Sequence, residues 1–505
     1  AKKKFNKYIL ALCALTLSAC GGNNNSTPAT SVDNNSSNQE TSQTTNSSSA
    51  SGKDEIKNPW WETTGSLSFD ANNKVEFDEV EFDLTTVVAG EDLSSFREII
   101  TEFNNEYRGK INVTVNSIGQ DTFENTVSSQ ISNNVNAPDL IMSHQKGHMT
   151  FKDNKLIQPF DEAMEKSGIE ISMNDYADGL TQYTDLGQKG YTFGVPIDAQ
   201  SNVVYYNKTL LNKYGGEIPA NRSELFELCK KVKAGEGITP IAWVTNMDFF
   251  RLYVFGTAIA QNGGYFYNTD DYYTSWYNDE TNRTAFKNAI KSIREVVNAG
   301  YAEYDLPESS ATTRFVTNKA LFFVGMPWNA NSIFEAYSTN NGNISVESVM
   351  KDRIGATSIA NWFALTDNTD DGNKIFGDSH FFAMSKTVKN IEKKAAILEF
   401  MKWYTQTGSI GAKWAEAGHI TASTIIANDD EYASNYFVNN YINLFYPDIN
   451  YFQCAGNTPF YEDTFNNLGA LFTTAKAGTE ANDESYIKKA QDVANEAIEF
   501  LKGGF

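Results

Sequence analysis

The sequence predicts an α/β protein of two lobes, each a sheet flanked by helices, with hinge crossings between them. Three observations carry that prediction. The first is a strand–helix–strand start. Residues 82–89 are apolar and β-branched and end in Gly90-Glu91-Asp92. Residues 93–107 then place Phe96, Ile99, Ile100 and Phe103 on one helical face, and residues 111–118 return to strand residues. Strands alternating with helices build a parallel sheet. The second is length: about 425 residues follow a low-complexity N-terminal stretch, more than one core usually supports. The third is the polar run Asp198-Ala199-Gln200-Ser201-Asn202, set between the strand-like residues 191–195 and 202–206. Polar groups inside an otherwise buried run are expected at a crossing between lobes that lines a ligand cleft.

In chain order, the N-terminus reads as an export signal. Lys2, Lys3, Lys4 and Lys7 precede the apolar residues 8–17 and the sequence Leu17-Ser18-Ala19-Cys20-Gly21. Ten apolar residues are too few to span a bilayer, which takes about 20. Residues 21–57 are Asn, Ser, Thr and Gln with almost no large apolar side chain. They cannot bury enough surface to offset ordering entropy and are expected to form a flexible tether. Trp60-Trp61 and the alternating residues 75–83 are expected as a leader laid on the surface.

The first lobe continues with a helix over 121–131 and a short buried strand over 138–142, PDLIM. Ligands in such sheets bind beyond the carboxyl ends of the strands. Those ends are Gly90-Glu91-Asp92, Gly119-Gln120-Asp121, Ser143-His144 and the polar bridge. A short helix over 209–214 closes at Gly215-Gly216, and Ser223 is expected to cap a helix with Leu225, Leu228, Cys229 and Val232 on one face. The second lobe then holds a strand over 238–244, helices over 249–262 and 284–299, and a strand over 320–324 leading to Gly325-Met326-Pro327-Trp328. A C-terminal helix over 486–501 follows.

These segments carry a resemblance. Tyr191, Gly194-Val195-Pro196, Tyr205-Tyr206-Asn207-Lys208 and the Pro219 turn resemble family 1 of the extracellular solute-binding proteins. These are the maltose-binding-protein-like receptors of ATP-binding-cassette importers. Residues 258–265 (AIAQNGGY), 319–328 (KALFFVGMPW) and 394–421 resemble later segments of that family in the same order, so the likeness runs over roughly residues 80–500. It implies a two-lobed periplasmic-binding-protein-like fold, with residues 80–200 and 354–421 in one lobe and 203–353 and 424–505 in the other. It also implies a monomer that is no enzyme. Such a receptor binds a carbohydrate, here a neutral mono- or oligosaccharide, and hands it to membrane permease subunits. Leu17 to Cys20 resembles a lipobox, so Cys20 becomes a lipidated first residue that anchors the chain on the outer face of the cell membrane. Trp328 falls where the family stacks a tryptophan on the sugar, and Gln200 where it places a polar contact. Asp198, Trp243, Asn246, His144, Asp121, Glu91 and Tyr461 complete the candidate site. Two departures leave the sugar open: Ser143-His144 stands where an aromatic can occur, and Met326 replaces a glycine.

Composition sets limits of its own. Lys and Arg number 41 against 63 Asp and Glu, a net charge of −22, which disfavours nucleic acid and anionic lipid as partners. Aromatic residues make up 13% of the chain, and sugar rings offer apolar faces to such planes. Of four cysteines, Cys229 and Cys454 remain for the mature fold, with a disulfide and two buried thiols both open. His144-Gln145-Lys146-Gly147-His148 imitates a zinc helix, but Gln145 stands where the general base belongs and Gly147 weakens a helix, so no metal is expected. Residues 367–378 imitate a calcium loop with Asp367, Asp371 and Gly372 in place, but the third position is Thr369 and the twelfth is Asp378 instead of Glu, so a polar loop is expected. No cofactor fingerprint or nucleophile elbow occurs. Asp270-Asp271 and Asp429-Asp430 are adjacent pairs rather than opposed carboxyls, which leaves a secreted carbohydrate hydrolase, or a receptor for a non-sugar solute, as the alternative.

Overall fold

The computed structural model describes residues 52–245, 247–366 and 370–503. The signal, Cys20, the tether up to residue 51 and the candidate Asn246 lie outside the described residues. Residues 53–57, expected in the tether, are already held: the Asp54 N–H donates to the Lys189 carbonyl (2.9 Å), and the Lys53 ammonium sits 4.1 Å over the Tyr191 ring. The leader then runs over the first lobe, as read from the sequence, but only up to residue 79: residues 80–83, expected in it, belong to the first strand, where Phe82 is buried. Trp60 Nε1 donates to the Ile157 carbonyl (2.8 Å), its ring stacks on Phe193, and Lys394 Nζ donates to the Glu62 carbonyl (2.9 Å).

The first sheet begins with β1 (Val80–Thr86), α1 (Gly90–Glu106) and β2 (Ile111–Ser117). Phe96, Ile99, Ile100 and Phe103 of α1 are the buried face, as the spacing predicts. α2 (Phe123–Asn133), β3 (Leu140–His144), α3 (Gln145–Asp153) and β4 (Ile157–Gln158) follow, and then the single-turn helix α4 (Asp178–Thr181), β5 (Val195–Pro196) and β6 (Asp198–Ala199). The second sheet starts at β7 (Val203–Asn207). α5 (Arg222–Glu236) is capped by Asn221, whose side chain accepts from the Glu224 N–H, and not by the expected Ser223, which lies inside the first turn. β8 (Ile241–Trp243), α6 (Asp248–Gln261), α7 (Glu280–Asn298), β9 (Phe322–Gly325) and β10 (Ile354–Thr357) complete this half.

The two sheets differ from expectation in one respect each. β1 is parallel to β2 and to β3, but β12 (His380–Ser385) inserts antiparallel between β3 and β4, so the first sheet is mixed. The second sheet has the order β10-β7-β9-β8, and β10 pairs antiparallel with β7, Ile354 opposite Asn207. The return to the first lobe expected at residue 354 therefore comes later, at β12. Between them, β11 (Ile375–Phe376) pairs with β14 (Phe452–Gln453) in a two-stranded ribbon. This ribbon lies on the second half: Phe376 packs against Phe266 and Phe465, and its N–H donates to Thr257 Oγ1 of α6.

α8 (Ile391–Gln406) and α9 (Gly408–Glu416) cover the first sheet, β13 (Ile420–Thr421) pairs with β6, and α10 (Tyr461–Lys476) and α11 (Asp483–Lys502) end the described chain in the second half. The buried core is continuous across both halves. Cys229 and Cys454 are free, buried thiols. Among the described residues no helix is long and apolar enough to cross a membrane.

Candidate functional site

The carboxyl ends of β1 and β3, the crossing after β6 and the start of β12 converge between the two halves, and two polar clusters form there. The first is centred on Asp198, which is fully buried. Its carboxylate accepts from the His380 backbone N–H (2.8 Å), from His380 Nδ1 (2.8 Å to Oδ2) and from Trp414 Nε1 (2.9 Å). His419 stacks flat on Trp414 at 4.0 Å, puts Nδ1 3.3 Å from Asp198 Oδ2 and bonds Asp92 through Nε2 (3.0 Å). Burial alone raises a carboxylic acid's pKa, but the His380 and His419 rings outweigh it and hold Asp198 well below the carboxylate range. Burial works against a charged His419 too, yet Asp198 and Asp92 push it up to about 9.

Asp198, His380 and His419 bring ligand atoms within 4.8 Å of one another. The donor set nonetheless describes a hydrogen-bonded ion cluster. Oδ2 already faces an indole N–H, and its 2.8 Å separation from Nδ1 is that of a charge-assisted hydrogen bond. The His144–His148 pair does not converge either. His144 ends β3 and stacks on His380 at 4.9 Å, while His148, one turn into α3, shares a hydrogen bond with Ser143 Oγ (2.9 Å). Burial keeps both rings neutral, His148 down at about 3. In the loop over 367–378, Asp371 pairs with Lys374 (2.6 Å) and Asp378 belongs to the crossing, while Asp367 and Thr369 lie outside the described residues.

The second cluster is under-paired. Gln200 and Asp378 face each other through reciprocal backbone hydrogen bonds, 2.9 Å each way, and both are buried. Lys146, in the first turn of α3, sets its ammonium 4.9 Å over the ring of Tyr461, the first residue of α10, so this contact joins the two halves. Among the described residues no carboxylate comes within ion-pair distance of that ammonium. Burial pulls the Lys146 pKa down, but Tyr461, Asp378, Glu124 and Glu462 act through space to raise it overall. Burial pushes Asp378 and Glu124 up. On the same crossing the Asn202 amide is fully buried and neither its oxygen nor its nitrogen has a hydrogen-bond partner. Buried polar groups without partners are costly, and a site that binds hydroxyls is one place where they are kept.

The candidates from the sequence therefore separate. Gln200, His144 and Tyr461 meet at the crossing. Asp198 meets them but has its acceptors occupied by protein donors, which makes it a pivot and not an open ligand contact. Trp243 is a core residue: it is buried, and Nε1 donates to the Glu303 carbonyl (2.5 Å). Its place at the end of a strand looked like a cleft edge, but the helix Glu308–Val316 packs against that strand and Phe363 against the ring. Trp328 is 39% exposed, on a turn whose backbone abuts Gly418 beside His419. Glu91 and Asp121 are exposed, in the first turn of α1 and in the turn before α2. Sequence reasoning missed Gln145, Asp378, His380 and His419 as site residues, because Gln145 stands more than two hundred positions from the other three and they share no local motif; only the strand-end position of Ser143-His144 pointed toward Gln145 and Lys146. Of the carboxylate pairs, Asp429 caps a helix through the Glu431 N–H (2.9 Å). A surface groove of about 640 Å³ beside α11, lined by Tyr277, Glu484, Lys488 and Asp492, contains none of these residues.

A family model for bacterial extracellular solute-binding proteins matches residues 89–409, well over half of the chain. The chain belongs to the bacterial extracellular solute-binding proteins. A curated relative, an uncharacterized ABC transporter extracellular-binding protein of Pyrococcus horikoshii, is 30% identical over 124 residues, 24% of this chain and 26% of the relative; the match thus spans about a quarter of its length. Solved solute-binding proteins share the fold. The sugar-binding protein MalE of Xanthomonas citri aligns with a TM-score of 0.66 at 13% identity, over 84% of this chain and 99% of its own. The cyclic α-maltosyl-1,6-maltose binding protein of Arthrobacter globiformis gives 0.63 at 14%, over 83% and 99%. The GacH receptor of Streptomyces glaucescens, solved unliganded and with acarbose, gives 0.61 at 15%, over 83% and 99%. This solute-binding protein is thus two-lobed, with both polar clusters where the lobes meet.

Proposed function

We propose that this chain captures a neutral mono- or oligosaccharide between its lobes and delivers it to an ATP-binding-cassette importer, without turning it over. The observation that carries this reading is the under-paired cluster. The Asn202 amide has no partner in the protein, and the Lys146 ammonium, which no carboxylate among the described residues pairs, stands over the Tyr461 ring with Asp378 and Glu124 acting on it through space. Hydroxyls both donate and accept, so a polyol can complete such a set. One ammonium among the carboxylates of Asp378, Glu124 and Glu462 gives the site a negative balance, which disfavours phosphates and uronates and favours neutral sugars. The named neighbours bind sugars or acarbose, and the resemblance of residues 17–20 to a lipobox supports a monomer tethered through Cys20 to the outer face of the membrane. In this reading the lobes are the discontinuous stretches named above, with β10 moved to the second.

A panel of neutral glycans tests the proposal. A few of them raise the melting temperature, since a ligand at 100 times its dissociation constant adds about 2.7 kcal/mol. Chromatography of the same mixtures shows the sugars intact; shorter products would turn the reading to a hydrolase. In a bacterial host the protein partitions into detergent, and Cys20→Ala abolishes that.

A further inference from the structure

We infer that Gln145 is a positioning residue that clasps the two lobes shut, through a seam between α3 and α4 of the first lobe and residues 449–461 of the second. This rests on the reading of the chain as a receptor that closes around its ligand. Gln145 is fully buried at the start of α3, where its own N–H is tied to the Ser379 carbonyl (2.8 Å). Its side-chain amide faces the Gly456 peptide as a neighbouring strand would. Nε2 donates to the Gly456 carbonyl (3.1 Å) and to Asn457 Oδ1 (3.4 Å), and Oε1 accepts from the Gly456 N–H (3.3 Å).

Further along the seam the Tyr183 hydroxyl does the same for Cys454, donating to its carbonyl (3.3 Å) and accepting from its N–H (3.0 Å). At the far side, the Asp178 N–H at the start of α4 donates to Asn450 Oδ1 (3.0 Å), and Gly179 lets the backbone come close. A β-carbon there would stand 2.6 Å from the carbonyl oxygens of both Ile449 and Phe452. Residues 452–461 are fixed to the second lobe by β14 pairing with β11 and by α10. When the lobes part, these side-chain-to-backbone bonds break together and two buried peptides meet water. None of the bonds involves the solute, so the seam favours closure in the ligand-free protein and sets how far a solute must shift the balance.

Spin labels at Asn133→Cys and Asn340→Cys on the full-length protein, with Cys13, Cys20 and Cys454 changed to Ser, read the distance between lobes; Cys229 is buried in α5 and stays unlabelled. Without any sugar, the wild type shows a closed population. Gln145→Met keeps the length and volume but removes the hydrogen bonds, and lowers the closed-to-open ratio roughly tenfold, the effect of losing one to two neutral hydrogen bonds. Gly179→Ala wedges the same seam and opens it by a second route. Melting temperatures stay close to wild type in Gln145→Met. Identical distance distributions in wild type and both variants, or a wild type that is wholly open without ligand, overturn the inference. As no sugar is present, that result is independent of whether the glycan panel finds a ligand.

Discussion

Asp198 and Lys146 are charges brought to the same junction between lobes, and their surroundings differ in the way that separates a pivot from a binding group. Asp198 has two imidazoles, an indole and a backbone N–H turned toward it, and its depressed pKa records that saturation. Lys146 has an aromatic ring and several carboxylates that act on it without an ion pair, and the crossing that carries Gln200 holds an Asn202 amide with no partner at all. A saturated buried charge stabilises the fold and has little left to offer a ligand. One whose partners act only through space keeps hydrogen-bonding capacity that hydroxyls can take up. Asp198 is fully buried and Lys146 partly so, and the pairing of their hydrogen-bonding groups separates them further.

Removing Asp198 breaks the saturated cluster hardest. Asp198→Ala leaves His419 with Asp92 alone and takes from His380 and Trp414 the acceptor they share, and breaking a buried pair costs about 3–5 kcal/mol, seen as a large fall in melting temperature with binding lost only as the protein unfolds. Gentler than mutation is pH. Folded His419 keeps its proton up to about pH 9, while the unfolded chain releases it near the ordinary value of 6.5. The stability from this cluster is therefore fully present below about pH 6.5 and is lost as pH rises to about 9, roughly 3 kcal/mol in all. His144 and His148 act in the opposite direction. Their folded pKa values are depressed, His148 to about 3, so acidification below 6.5 protonates the unfolded chain first and lowers stability. Melts across pH 4–9 should peak near 6.5, and His419→Gln should flatten the alkaline side alone.

Variants of the open cluster should behave differently. Lys146→Ala removes charged hydrogen bonds to the solute worth roughly 1.5–3 kcal/mol of affinity, with little change in melting temperature, by calorimetric titration. Trp328→Ala, at a side chain already 39% exposed, should keep the fold and cost about 2 kcal/mol of binding, roughly thirtyfold, if its ring stacks on the sugar. Gln200→Ala is expected to be the mildest, about 0.5–1.5 kcal/mol, with a change in which sugar is preferred. Its backbone bonds to Asp378 survive the substitution, and a collapse of folding there would assign Gln200 to the pivot instead.

What was legible in the sequence follows from the range of the interactions. The buried face of α1, the strand ends at Ser143-His144 and the polar crossing at 198–202 are written in local periodicity and composition. The parallel register of the first three strands follows from the same alternation. The insertion of β12 between β3 and β4 does not, because His380–Ser385 pairs with residues more than two hundred positions away. The same distance hid the partners of Asp198. Without His380, Trp414 and His419 beside it, a lone Asp on a polar bridge reads as a ligand contact. Trp243 failed for a related reason: its strand packs against a helix from later in the chain. Asn221 displaced Ser223 as cap because either residue can serve, and the one that starts the turn takes the role.

Calorimetric titration of wild type and Lys146→Ala with the tightest neutral sugar from the panel, and with its uronic acid counterpart, tests the central claim most directly. The account predicts saturable binding of the neutral sugar, at least tenfold weaker binding of the acid, and a loss of affinity in Lys146→Ala that leaves the melting temperature of the empty protein in place. An acid that binds as tightly as the neutral sugar, or a Lys146→Ala protein that binds like wild type, would contradict it.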